Sequence, residues 1–197
     1  MIDEEQYQVF NATAAVILPT LHNLKELTEN IFDVKNGKNQ YCFFTVNFKP
    51  EYDSKIEEIS DMMKEWTNKC IYLKDNYLYS IEQRSETSDS ITGIHIHILF
   101  KKNDKPPTKI KRAFVQKFFD KYVGTHASLD FKFICDSLPK IKYILGVKEK
   151  KKMPKVYMDR VFKDSYQLPY WDNIGYDEEI KNITDSSEYK ELFSHVI

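Results

Sequence analysis

The residues of this chain whose type and spacing most directly suggest chemistry are His95 and His97, in the run Gly93-Ile-His-Ile-His-Ile-Leu-Phe100. The run reads as a β-strand, and period-two geometry turns both imidazoles to one face and Ile94, Ile96 and Ile98 to the other. Two imidazoles at i and i+2 lie about 7 Å apart along a strand, close enough to share a divalent ion. The preceding strand supplies a third ligand. In Tyr77 to Gln83, residues Tyr77, Tyr79 and Ile81 share one face, and Leu78, Ser80 and Glu82 the other. A hairpin would lay Glu82 beside the histidines. Two imidazoles and one carboxylate leave coordination positions open, as a catalytic metal requires. Alone, the pair reads more readily as two surface histidines on a half-exposed strand.

A second candidate lies in Lys140-Ile-Lys-Tyr-Ile-Leu-Gly-Val-Lys-Glu-Lys-Lys-Lys152. Ile141, Ile144, Leu145 and Val147 fill the apolar face of a short helix, and Lys142, Tyr143, Gly146 and Lys150 mark a more polar one. Tyr143 is therefore expected outside the core, with Gly146 leaving open space above its ring. A tyrosine phenolate can attack phosphorus and form an ester where a metal polarises the phosphate and lysines offset its charge.

The elements that must position these groups follow from periodicity. Thr20 to Phe32 has Leu24, Leu27 and Ile31 at helical spacing, within an N-terminal helical extension, 1–40. Tyr41 to Phe48 is aromatic and β-branched and reads as a strand. Asp53 or Ser54 can cap a helix with the stripe Ile56, Ile59, Met63, Trp66. After the two later strands, Ile110, Phe114, Phe118 and Tyr122 mark a helix over Thr108–Tyr122, stopped by Gly124. Leu129, Phe131 and Phe133 alternate in a fourth strand, and Ser137 or Pro139 starts the tyrosine helix with Leu138, Ile141 and Leu145 inward. This order predicts an α+β, ferredoxin-like split βαβ: a central antiparallel sheet with helices on one face and a terminal helix carrying the tyrosine. Residues 41–152 form the central domain. Residues 153–197 are read as an extension, partly packed and then an acidic tail or linker.

The chain has 197 residues, 42% hydrophobic and 30% charged, which excludes a disordered acidic tail and a membrane protein. Its longest apolar run, Ala14 to Leu18, is too short for a bilayer, and Cys42, Cys70 and Cys135 lack C-x-x-C spacing. An intracellular protein with reduced thiols is expected. The net charge of −1 conceals strong polarisation. Lys101 to Lys155 holds sixteen Lys or Arg against five Asp or Glu, a net +11, leaving −12 elsewhere. Such a block suggests an anionic partner bound at one place.

Taken in order, Phe43-Phe-Thr-Val-Asn-Phe48, Gly93-Ile-His-Ile-His-Ile-Leu99 and Lys142-Tyr-Ile-Leu-Gly-Val-Lys148 resemble the three motifs of HUH endonucleases. These are the replication initiators (Reps) of rolling-circle replicons, particularly circular single-stranded DNA viruses of eukaryotes. The resemblance implies site-specific nicking and joining of single-stranded DNA at an origin stem-loop. It makes Tyr143 the nucleophile that stays on the 5′ phosphate, and Glu82, His95 and His97 the ligands of Mg or Mn. Many relatives carry Lys three residues after the tyrosine. Here that position is Gly146, so Lys148 or Lys150 is expected to take the role. The DNA-binding set on this reading is Thr45, Asn47, Lys49, Lys142 and Lys150, with Lys101, Lys102, Lys105 and the Lys148–Lys155 cluster as further cations. No G-x-x-x-x-G-K occurs, so the chain is expected to be a nuclease-only protein or a fragment of a longer, helicase-containing one. Host replication proteins are possible partners, and the host nucleus the compartment for a eukaryotic virus, otherwise the cytoplasm. Two other readings compete: a non-catalytic nucleic-acid-binding module of the same fold, and a transposase or relaxase sharing the histidine motif.

Overall fold

The computed structural model describes residues 40–87 and 90–194. The helix expected at Thr20–Phe32 and the N-terminal extension around it lie outside the described residues. Within them, five strands alternate with six α-helices: β1 (Tyr41–Asn47), α1 (Ile56–Lys69), β2 (Tyr77–Glu82), β3 (His95–Lys101), α2 (Pro107–Phe118), β4 (Leu129–Ile134), α3 (Leu138–Ile144), α4 (Met153–Ser165), β5 (Asp172–Ile174), α5 (Asp177–Thr184) and α6 (Ser187–Phe193). The sheet order is β4-β1-β3-β2-β5 and every neighbouring pair is antiparallel. The first four strands and two crossover helices make the ferredoxin-like α+β arrangement that the sequence predicts. No helix among the described residues is long and apolar enough to cross a membrane.

Strand parity divides the side chains between two layers. Cys42, Phe44 and Val46 of β1, Tyr79 and Ile81 of β2, and Ile96, Ile98 and Phe100 of β3 meet α1 and α2 in the larger core. Phe114 of α2 sits at its centre, with ring centroids 5.1 Å from Phe44 and 5.0 Å from Phe100. Truncating such a ring to Ala costs about 3–5 kcal/mol. The opposite parity, Phe43, Leu78 and Leu99, forms a second core with Ile141 and Ile144 of α3, Val156 of α4, and Phe193 of α6. The same parity further along the strands carries Thr45, Glu82, His95 and His97. One sheet face is therefore apolar at one end and polar at the other.

Several local expectations differ from the structure. Neither Asp53 nor Ser54 caps α1. The Asp53 carboxylate instead accepts the Ile94 amide at 3.0 Å, fixing the chain just before the histidine strand. The helix expected to reach Tyr122 changes to a π turn, Phe119–Val123, before Gly124 ends it at φ 75°. Leu138, at the first turn of α3, is 48% exposed rather than inward. Residues 172–194, expected as an acidic tail or linker, contain β5, α5 and α6. Their Tyr176, Ile180, Ile183, Tyr189 and Phe193 are buried in the second core, an apolar set that the surrounding acidic residues mask in composition. β5 also pairs along β2, covering an edge that would otherwise present unpaired amides.

Candidate active site

The β2–β3 hairpin sets Glu82 directly opposite His95, and β1 sets Thr45 directly opposite His97. The Glu82 Oε2 atom lies 3.5 Å from His95 Nε2 and 3.8 Å from His97 Nε2. One ligand atom from each of the three buried residues falls within 4.8 Å of the others. The far side of each ring is engaged: His95 Nδ1 lies 2.9 Å from the Gly93 carbonyl and His97 Nδ1 lies 3.0 Å from Thr45 Oγ1. With Nδ1–H donating to the Gly93 carbonyl, the opposite ring nitrogen of His95, Nε2, is the one that faces Glu82. His97 Nε2 is buried with no hydrogen-bond partner among the described residues. Buried polar atoms are seldom left so, and an orphaned imidazole nitrogen beside a carboxylate and a second imidazole is a donor set that suits a cation. The cluster could hold a metal ion, with three protein ligands and room for others.

The electrostatics agree. Burial pushes the His97 imidazole down to about 3, so it is neutral at pH 7 and free to coordinate. Burial alone would raise the Glu82 carboxyl, but His97, His95 and Lys148 outweigh it and hold the group well below the usual carboxylate range. With His97 uncharged at pH 7, the Lys148 ammonium is the formal positive charge bonded to Glu82, at Oε2.

Tyr143 stands beside this cluster. Its ring centroid is 5.1 Å from that of His97, edge to face, and 6.3 Å from Phe43, which itself stacks on His97. The tyrosine is half-buried, and among the described residues its hydroxyl makes no hydrogen bond. Three ammonium groups lie over the ring: Lys148 at 4.3 Å, Lys152 at 5.5 Å and Lys140 at 5.9 Å from the centroid. Burial raises the phenol, Glu82 adds to the rise, and Lys152 and Arg84 oppose it. Glu82, His95, His97, Tyr143, Lys148 and Lys152 line one cleft of about 200 Å³.

The remaining sequence candidates are dispersed. Thr45 is buried behind His97 and orients that ring. Asn47 donates to the Ser128 carbonyl at 3.2 Å and accepts from Arg84. Lys49 donates to the carbonyls of Asp120 and Lys121, each at 3.3 Å, across the π turn. Lys142 pairs with Glu188 at 3.3 Å, and Lys150 is exposed outside the cleft. Lys101 ends the strand that His95 begins, about 20 Å away, and Lys102 is buried. Gly146 does not open space above Tyr143. At φ 92° it meets Val156 and Phe193 so closely that an added Cβ would lie 3.1 and 3.2 Å from their side chains.

Lys152 and Lys155, both within the Lys148–Lys155 cluster expected as cations, line the cleft, the latter paired with Glu86 at 3.3 Å; sequence reading missed Arg84 and two residues of α4 that line it too. Asp159 and Lys163 of α4 form a buried pair at 2.7 Å. The Asp159 carboxylate accepts the Gln83 amide at 3.0 Å, and Lys163 donates to Ser80 Oγ at 2.8 Å, so the pair clamps the β2 segment bearing Glu82. Their i,i+4 spacing with opposite charge was the available signal. No family model matches this chain, and no curated protein or solved structure matches it.

Proposed function

We propose that this chain is a metal-dependent endonuclease that nicks single-stranded DNA through Tyr143, remaining joined to the 5′ phosphate, and rejoins strands by the reverse step. One observation carries the reading: the Tyr143 ring lies 5.1 Å from that of His97, which belongs to a buried Glu-His-His cluster, in a cleft lined by lysines. Glu82, His95 and His97 would hold the ion, Mg or Mn, which when bound polarises the scissile phosphate as a Lewis acid. Tyr143 loses its proton, its oxygen forms the new bond to phosphorus, and the bond from phosphorus to the 3′ oxygen breaks. The 3′ oxygen leaves and takes a proton. Because one phosphoester replaces another, the step is close to balanced and can run backward to join. The raised phenol needs its neighbouring ammonium groups to favour the attacking anion.

The proposed substrate is an origin stem-loop of a rolling-circle replicon; a transposon end or transfer origin would be served by the same chemistry. A non-catalytic module that lays bases on an open sheet face has less support, since β2 is buried throughout and β3 along all but its last residue. The test incubates the protein with Mn and a labelled random-sequence single-stranded DNA pool, followed by denaturing electrophoresis. A covalent adduct is expected from the native chain. It should be absent from Tyr143→Phe and from the double variant His95→Ala, His97→Ala. An undiminished adduct in Tyr143→Phe overturns the mechanism.

A further inference from the structure

The lysine-rich stretch around the tyrosine is mostly neutralised by the protein itself. Lys142 pairs with Glu188, Lys151 with Glu149 at 2.9 Å, Lys155 with Glu86, and Lys148 with Glu82. Lys140 and Lys152 differ. Both are half-buried, both lie within 6 Å of the Tyr143 ring centroid, and neither has a carboxylate partner among the described residues. Lys152 lines the cleft, whereas Lys140 lies outside its lining and over the Phe43 ring, 4.7 Å from that centroid. Ammonium groups partly withdrawn from water without a counter-charge are sites for an anion.

We propose that Lys140 and Lys152 form a phosphate track across Tyr143, each taking one backbone phosphate of a single DNA strand. Resting on the nuclease reading, this assigns the strand's path to this pair rather than to Lys142 and Lys150. A lysine acts here as a point charge, so the track fixes the position of the strand without reading its bases.

The slope of log affinity against log salt counts phosphate contacts, at about 0.7 per contact for a single strand. Binding of labelled oligothymidine to the full chain is measured by fluorescence anisotropy in EDTA at several salt concentrations. Lys140→Gln and Lys152→Gln should each reduce the slope by about 0.7, and the double variant by about 1.4. Lys64→Gln, on the exposed face of α1, should leave it unchanged. Circular dichroism melting confirms that each variant is folded. Slopes unchanged in both single variants overturn the track, as does a single variant carrying the whole effect. A native chain that binds oligothymidine with the expected slopes but forms no adduct with Mn removes the nuclease reading and leaves the track. An adduct with unaltered slopes does the reverse.

Discussion

The Lys148 ammonium is bonded to Glu82 Oε2, the same oxygen that faces the Nε2 atoms of His95 and His97. A cation entering between the three ligands must compete with that ammonium for Oε2. Lys148→Met should therefore tighten Mn binding about tenfold, equivalent to about 1.4 kcal/mol. The metal-free variant should lose about 3 kcal/mol of stability, because a buried carboxylate loses its ionic partner. Mn at a hundred times its Kd should return about 2.7 kcal/mol. Titration calorimetry and urea unfolding measure both quantities, and weaker Mn binding by the variant would contradict the competition.

Thr45 Oγ1 touches the outer nitrogen of His97, 3.0 Å away. Partners of this kind set the tautomer and orientation of a coordinating ring, and losing one typically lowers metal affinity about 10- to 100-fold. Thr45→Val keeps the shape and removes the hydroxyl. It should weaken Mn binding by that factor and, by leaving His97 Nδ1 buried without a partner, lower stability by about 1–3 kcal/mol. Equal affinities would leave Thr45 a packing residue.

The His97 imidazole titrates near 3 in the folded protein, against an ordinary value of 6.5. Between these pH values the unfolded chain binds the additional proton, so stability falls as the solution becomes more acid. In EDTA, the native protein should lose about 2 kcal/mol from this group between pH 7 and pH 5. His97→Asn should show a correspondingly flatter profile in urea unfolding. Parallel profiles would mean that His97 takes up its proton in the fold as readily as in the unfolded chain.

Gly146 follows the tyrosine helix with φ 92° and lies against Val156 and Phe193. An L-residue there costs about 1–2 kcal/mol in backbone strain alone. Gly146→Ala should therefore lower stability by at least that amount. Since α3 is anchored at this turn, adduct formation should also fall while Mn affinity holds. Unchanged stability would show that the turn relaxes freely.

Much of this arrangement was legible because alternation is a local property. Ile94, Ile96 and Ile98 fix one face of β3, so His95 and His97 had to share the other, and the same parity in β2 chose Glu82. The helical stripe Ile141, Ile144, Leu145 likewise left Tyr143 outside the core proper. The unread features depend on contacts between distant segments. Thr45 reaches His97 only through the β1–β3 register, and Lys148, two residues past the left-handed Gly146, rather than Lys150 reaches Glu82. Asp53 was read as a cap because its type suits one, yet tertiary packing gave it the Ile94 amide. The final helices were read as a tail because charge dominates their composition, although their few apolar residues fall on one side.

The turn that carries Tyr143 is seated on residues from the far end of the chain. Phe193 packs against Gly146, Glu188 holds Lys142, and the Leu192 carbonyl accepts the Tyr157 hydroxyl at 3.1 Å. Ion capture and phenol placement thus have separate foundations, the first in the sheet and the second in the last two helices. A proteolytic nick ahead of residue 187 would uncouple them, leaving a scaffold that still gathers a cation but no longer presents its aromatic alcohol.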